Sequence, residues 1–202
     1  MKAVILISGN GSNLQSIIDN ADKIDIQISC VISNNKNAFG LKRAESSKIQ
    51  TYIVEPELFN SKEAFDRELI SIIDQQEVEL IVLAGYMRIL TSLFVSHYFG
   101  KILNIHPSLL PKFPGLNTHQ RVLKSSDTIH GTSVHFVVDK LDSGPIIAQD
   151  YVDIDHLDSP ETLSIKVLSK EHALYPKIIH WYTQGRLKLM DNESATLDGL
   201  II

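Results

Sequence analysis

The sequence predicts an α/β fold with a mostly parallel, twisted sheet flanked by helices. Two observations carry this. Short β-branched runs alternate with longer segments of helical period through the first half of the chain, the pattern of successive βαβ units. Two of those runs, Ala3–Ile7 and Leu80–Leu83, are apolar at every position, as central strands covered on both faces must be.

In chain order, strands are expected at Ala3–Ile7, Ile26–Ile32, Thr51–Val54, Leu80–Leu83 and Ile102–Ile105, with helices at Asn13–Asn20, Phe39–Lys48, Lys62–Gln75 and Thr91–His97. The first helix repeats apolar residues at Leu14, Ile17 and Ile18, one helical face. After Pro107 the character changes: a Pro- and Gly-rich loop runs to Gly115, and strands follow at Thr132–Val138 and Pro145–Val152. The last helical segment spans Pro160 to Gly185, where Pro176 is expected to kink or split the helix. No repeat, low-complexity tract or flexible linker interrupts the chain. It reads as one domain, 1–202, with a nucleotide- or phosphate-binding half (1–100) and a second half (101–202) built onto it.

The chain has 202 residues, of which 44% are apolar, enough for a sizeable core. Its 19 basic and 24 acidic side chains leave a net charge of −5, without a basic stripe, so no nucleic-acid partner is expected. The nearly apolar run Leu80–Met87 falls well short of the roughly 20 residues of a membrane helix, so no membrane partner is expected either. Cys30 is the sole cysteine and sits in an apolar run, which leaves no internal disulfide and no paired-thiol redox or metal motif. The N-terminal apolar stretch is too short for a secretory signal, and a cytoplasmic location is the expectation.

Four features carry chemistry. First, Ser8-Gly9-Asn10-Gly11-Ser12-Asn13 joins a buried strand to an amphipathic helix. Glycines there let a ligand approach the backbone, and N–H groups at a helix start favour an anion. Ser12 or Asn13 is expected to cap the helix. Leu14 stands where a dinucleotide motif has its third glycine, and the lysine of a Walker A loop is missing, so a single phosphate fits better than a pyrophosphate. The alternative is a tight turn without a ligand.

Second, Asn104-Ile105-His106-Pro107 ends the fifth strand. Strand alternation puts Asn104 and His106 on one face, about 6.6 Å apart, and Pro107 ends the ladder. The carboxyl ends of strands are where open α/β sheets bind ligands. An amide donor beside an imidazole suits acyl chemistry, the amide meeting an oxyanion while the imidazole moves a proton. Among the other histidines, His119, His130 and His135 are placed to line the same cleft, with His130 and His135 flanking the next strand; no HExxH-like spacing supports a metal.

Third, Asp142, in the turn Asp139-Lys140-Leu141-Asp142-Ser143-Gly144-Pro145, could fold back beside His106 and fix its tautomer; the alternative is a simple turn former. Fourth, Glu171 falls on the apolar stripe of Leu168, Leu174, Ile178 and Trp181. A carboxylate there needs a partner. An ion pair at the rim of the core is the ordinary choice, a cationic ligand group the functional one.

Taken together, Asn104-Ile105-His106-Pro107-Ser108-Leu109-Leu110-Pro111, Phe113-Pro114-Gly115, His130-Gly131-Thr132-Ser133-Val134-His135 and Leu141-Asp142-Ser143-Gly144-Pro145 resemble the folate-dependent formyltransferases. The start, Ile7-Ser8-Gly9-Asn10-Gly11-Ser12-Asn13-Leu14-Gln15, is similar to the branch of that family that serves purine synthesis. The resemblance runs from about Val4 to Leu187 and implies a Rossmann-like sheet with an antiparallel edge in the C-terminal half. It implies transfer of a formyl group from 10-formyltetrahydrofolate to the amine of glycinamide ribonucleotide, giving formylglycinamide ribonucleotide and tetrahydrofolate, without a metal. It further implies that Asn104, His106 and Asp142 form the catalytic trio. By the same resemblance Gly11, Ser12 and Asn13 meet the ribose phosphate and Glu171 the glycinamide end. Folate would be held by Met87, Arg88, Ile89 and Leu90 and by Val138, Asp139, Lys140, Leu141 and Asp142, partly through main-chain groups. Lys62 stands where the family usually has arginine, and lysine lacks the bidentate fork for the folate glutamate tail.

Within the family, methionyl-tRNA formyltransferase normally adds a C-terminal domain, for which 202 residues leave no room. A 10-formyltetrahydrofolate hydrolase usually adds an N-terminal regulatory domain, whereas the catalytic residues here are expected in a domain that begins at Met1. From a different class, a non-catalytic mononucleotide-binding module would keep the glycine turn and leave the histidines structural. The small-molecule partners expected are glycinamide ribonucleotide and folate, and a homodimer is left open.

Overall fold

Apolar alternation along the strands sorts the two faces of the sheet. In β1 (Lys2–Ile7), Ala3, Ile5 and Ile7 join one hydrophobic cluster while Val4 and Leu6 join another. All five are fully buried, as a strand covered on both faces requires. The chain continues through α1 (Ser12–Asn20), β2 (Gln27–Ser33), α2 (Phe39–Ser46), β3 (Gln50–Ile53), α3 (Lys62–Asp74), β4 (Leu80–Leu83), α4 (Ser92–His97) and β5 (Ile102–His106). The second half adds α5 (Thr118–Leu123), β6 (Ile129–Phe136), β7 (Ile146–Asp153), α6 (Pro160–Thr183) and the short strands β8 (Leu187–Leu189), β9 (Ala195–Leu197) and β10 (Leu200–Ile201). This computed structural model describes all 202 residues.

Seven strands form one sheet in the order β3-β2-β1-β4-β5-β6-β7. The pairs from β3 to β5 are parallel, whereas β6 and β7 run antiparallel to their neighbours. The expected mostly parallel sheet with an antiparallel C-terminal edge is therefore the observed one. Residues of α1, α2 and α6 pack on one face around Leu14, Leu41 and Ile178, and residues of α3 and α4 on the other around Phe65, Leu69 and Phe94. Burying each such side chain contributes about 1.5–3 kcal/mol. In β5, Leu103 and Ile105 face the first cluster and Ile102 the second, so alternation carries Asn104 and His106 to the α3/α4 side, at the strand's carboxyl end.

Two expectations are corrected, and a small sheet and one helix are added. Of the two outcomes expected at Pro176 the split does not occur; α6 runs unbroken through it. Proline withholds the N–H that the His172 carbonyl would have accepted, and Ser16 Oγ on α1 supplies a replacement at 2.7 Å. His130 lies inside β6 instead of flanking it, because that strand begins at Ile129, earlier than expected. From Leu187 on, where no element is expected, the chain forms a separate three-stranded sheet, and α5 is likewise unexpected from the sequence. Strands of two or three residues are too short to display a period, and α5 has only the adjacent Val122 and Leu123 as apolar residues, not a helical repeat. No helix is long and apolar enough to cross a membrane.

Candidate active site

The turn after β1 and the loop after β4 meet at Ser8. Its N–H donates to the Gly85 carbonyl at 3.1 Å, its Oγ donates to Asn34 Oδ1 at 2.5 Å, and the Met87 N–H donates to that Oγ at 2.7 Å. Beyond Ser8, Gly11 occupies the N-cap position of α1 in the left-handed region, φ 74°, and no side chain caps the helix. Neither Ser12 nor Asn13 serves as the cap, contrary to expectation. The first-turn N–H groups of α1 are therefore not satisfied by a capping oxygen and present positive partial charge, the arrangement that receives an anion.

Asn13 turns inward instead. Its Nδ2 donates to Glu171 Oε2 at 2.6 Å, joining α1 to α6, while Asn13 Oδ1 is buried without a partner. The ion pair expected for Glu171 is not formed; its neighbour is an amide, not a cation. Burial, only partly offset by the Asn13 hydrogen bond, pushes the Glu171 carboxyl up to about 7. A carboxyl group with one neutral donor in a dry setting is poised to take a further donor from a ligand.

Antiparallel pairing sets the centre of the site. Asn104 on β5 lies opposite His135 on β6, and His106 opposite Ser133. The Asn104 amide nitrogen is 3.1 Å from His135 Nε2, and His135 Nδ1 is 2.7 Å from the Phe136 carbonyl. Only a neutral ring with its proton on Nδ1 satisfies both contacts. Burial drives the His135 pKa down, outweighing the Phe136 carbonyl and Asp142, and nearby His106 lowers it further. His135 Nε2 is 3.8 Å from Asp142 Oδ1, but a neutral ring makes this proximity rather than an ion pair.

His106 is buried, with Nδ1 3.4 Å from Asp142 Oδ2 and Nε2 3.0 Å from the Phe113 carbonyl. Both partners accept only, so the ring fills both contacts when each nitrogen carries a proton. Asp142 Oδ2 also accepts the Gly115 N–H at 2.8 Å. The loop from Pro107 to Gly115 is pinned by a buried hydroxyl network: Ser133 Oγ donates to the Ser108 carbonyl at 2.6 Å, Thr132 Oγ1 to the His106 carbonyl at 3.0 Å, and Ser108 Oγ to the Lys112 carbonyl at 2.7 Å. Thus β6 supplies side chains that hold the loop carrying two of the site's backbone contacts.

His119 and His130 pair with each other, Nδ1 to Nε2, at 3.1 Å. Burial, followed by mutual repulsion and repulsion from His106, lowers His130 to about 4, and burial with His106 lowers His119. Both are near enough to His106 to feel its charge, and His135 alone of the three lines the cleft beside Asn104 and Asp142. No three His, Cys, Asp or Glu side chains are grouped to hold a metal ion.

That cleft is bounded by Tyr86 and Arg88–Leu90 from the loop after β4 and by Val137–Asp142. Leu83, Leu90 and Val138 give it apolar walls, and its lining residues Tyr86 and Arg88 carry a buried hydroxyl and Nε without partners. Of the sequence-selected residues, Arg88, Ile89, Leu90, Asn104, Val138, Asp139, Lys140, Leu141 and Asp142 line it. Met87 does not; its side chain is 65% exposed and its N–H is taken by Ser8. Lys62 also lies outside, sharing a neighbouring depression with Arg88, Phe59 and Ser61. His135 was noted in sequence only as a candidate cleft liner; its place opposite Asn104 depends on the β5/β6 register.

Residues 1–179 match the family model described as formyl transferase. A phosphoribosylglycinamide formyltransferase of Escherichia coli (strain K12) is 52% identical over 201 residues, covering 98% of this chain and 94% of the relative. Its counterpart in Haemophilus influenzae is 46% identical over 200 residues, again with 98% and 94% covered. Among solved structures, a phosphoribosylglycinamide formyltransferase from Coxiella burnetii, in complex with CHES, superposes with a TM-score of 0.95 at 49% identity, covering 100% of this chain and 95% of that one.

Proposed function

The chain belongs to the formyl transferase family, and from that membership we infer that it transfers a formyl group from 10-formyltetrahydrofolate to the amine of glycinamide ribonucleotide. The products are formylglycinamide ribonucleotide and tetrahydrofolate, as purine synthesis requires. The observation that carries the reading is the convergence of Asn104, His106 and Asp142 at the carboxyl end of β5, beside an apolar-walled cleft and two strands from the uncapped helix start that follows β1.

In the proposed mechanism the amine attacks the formyl carbon, and the tetrahedral adduct collapses by breaking that carbon's bond to N10 of the folate, which takes up a proton and leaves as tetrahydrofolate while the attacking nitrogen gives up a proton. Asn104 Nδ2 carries two hydrogens; one is engaged by His135 and the other remains for the oxygen on which charge develops. His106, backed by Asp142, stabilises and protonates the tetrahedral adduct, and Asp142 supports the imidazolium charge. Gly11, Ser12 and Asn13 receive the ribose phosphate, and Glu171 the glycinamide end. The cleft segments Arg88–Leu90 and Val138–Asp142 would hold the folate, which brings the formyl group, and Lys62, which shares a neighbouring depression with Arg88, would meet its carboxylate tail.

The proposal treats residues 1–202 as one domain, supported by a sheet continuous from β3 to β7. It includes a cytoplasmic location, supported by a lone, buried cysteine, and a homodimer, which sedimentation equilibrium would register as twice the chain mass.

The test is a spectrophotometric assay of formyl-donor loss with and without glycinamide ribonucleotide, on the wild type and on His106→Ala. Amine-dependent loss that disappears in the variant supports the transferase. Loss independent of the amine identifies a hydrolase, and no turnover in the wild type returns the chain to the binding-module class.

A further inference from the structure

We propose that Arg43, on α2, is a positioning residue for the phosphate-binding turn: its guanidinium holds that turn in the shape that receives the substrate's phosphate and gives it a positive setting. The inference rests on the functional reading above for the identity of the ligand.

The turn has little to hold it from within. Gly9 and Gly11 flank Asn10, and glycine's backbone freedom must be paid for elsewhere. Arg43 supplies the constraint: Nε donates to the Asn10 carbonyl at 2.9 Å, one terminal nitrogen to Asn10 Oδ1 at 3.0 Å, and the other to Gln15 Oε1 at 3.3 Å. One planar group therefore grips the residues on either side of Gly11–Leu14. The guanidinium is itself steadied 4.9 Å over the Phe39 ring.

Backbone packing reinforces the clamp. The Gly40 N–H at the start of α2 donates to the Gly9 carbonyl at 3.1 Å. A Cβ on Gly11 would lie 2.6 Å from Gly40 Cα, and Gly11 already holds φ +74°. The two glycines let the turn sit directly on α2, which brings Arg43 within reach of Asn10.

The charge on Arg43 is not consumed by these contacts. All three acceptors are neutral amide oxygens, and Arg43 forms no ion pair. Its field reaches α6, where it adds to the burial that lowers the His172 pKa. A phosphate at the α1 start therefore meets the helix dipole and an unneutralised cation together. Lysine could keep the charge but not the fork across Asn10 and Gln15.

The test compares glycinamide ribonucleotide with its dephosphorylated riboside on the wild type, Arg43→Ala, Arg43→Lys and Gln15→Ala. It adds calorimetric binding of ribose 5-phosphate, which needs no turnover. Losing charge-assisted contacts corresponds to about 10- to 100-fold in affinity, so Arg43→Ala should weaken ribose 5-phosphate binding and raise the ribonucleotide KM by that range. The riboside should lose far less, affinity for the formyl donor should stay near wild type, Arg43→Lys should recover only part, and Gln15→Ala should shift the same way by less. Equal losses on ribonucleotide and riboside, or unaltered ribose 5-phosphate binding, would overturn the proposal. If Arg43→Ala fails to fold, a Gln15→Ala protein with wild-type ribose 5-phosphate affinity overturns it as well. Wild-type protein that binds ribose 5-phosphate yet shows no amine-dependent formyl transfer indicts the functional reading instead and leaves the clamp standing.

Discussion

Asn104 Nδ2 lies 3.1 Å from His135 Nε2, a contact that needs a lone pair there: burial favours the neutral ring, and the Phe136 carbonyl 2.7 Å from Nδ1 draws the proton to that nitrogen. The amide can point only one way as long as the ring offers a lone pair. Asn104→Ala should lower kcat by about 100- to 1000-fold with a much smaller change in formyl-donor affinity. His135→Ala should lower kcat by less, and the double variant should lose no more than Asn104→Ala, because His135 acts through Asn104. Steady-state kinetics on the three proteins decides it; fully additive losses sink the positioning role.

Asp142 holds φ 48°, in the left-handed region that aspartate and asparagine tolerate better than other side chains. Asp142→Asn should therefore keep the backbone but remove the charge facing His106, cutting kcat at least about 100-fold by analogy with loss of a triad carboxylate. Asp142→Ala should add a stability loss of about 1–2 kcal/mol from backbone strain. Urea denaturation beside kinetics separates the two; equal stability of both variants contradicts the strain argument.

Glu171 sets a pH dependence. Its folded pKa of about 7 lies above the usual carboxylate value of 4.5. The folded state thus binds more protons in that interval, and the group's contribution is full below pH 4.5 and lost as pH rises through about 7. At most about 3 kcal/mol is at stake. Glu171→Gln should flatten the decline in stability between pH 4.5 and about 7, the window bounded by the two pKa values, while raising the KM for the amine substrate. An unchanged stability profile in denaturant titrations at both pH values would contradict the assignment.

Ser16 and Pro176 form a tertiary repair. The hydroxyl donates to the His172 carbonyl that the proline leaves unbonded. Ser16→Ala should cost about 1 kcal/mol, the net contribution of a hydrogen bond to a half-buried acceptor. In a Pro176→Ala background, where an N–H is restored, the same substitution should cost distinctly less. A double-mutant cycle by thermal or urea unfolding measures the coupling, and zero coupling rejects it.

Much of this protein was legible from local pattern. The strands from Ala3 to Ile105 and the helices between them follow from short-range periodicity, which the backbone geometry of each element imposes on its own residues. The same alternation put Asn104 and His106 on one face. The cap of α1 was misread because Gly11 takes the position through a left-handed φ rather than through a side-chain oxygen, a choice set by its close packing on Gly40. Met87 could not be recognised as solvent-facing, since its orientation depends on the distant Ser8 hydroxyl.

By itself the sequence determined the layered α/β architecture, the glycine turn, and the Asn-His pair at a strand end, all products of neighbours within a few residues. Only the tertiary structure decided that Glu171 answers to Asn13 rather than to a cation, that His135 holds Asn104, that α6 passes unbroken through Pro176, and that Arg43 grips the turn. Those four join residues 158, 31, 156 and 33 positions apart. No periodicity spans such separations; hydrogen-bond demand in a buried setting is satisfied by whichever group the packing brings within reach.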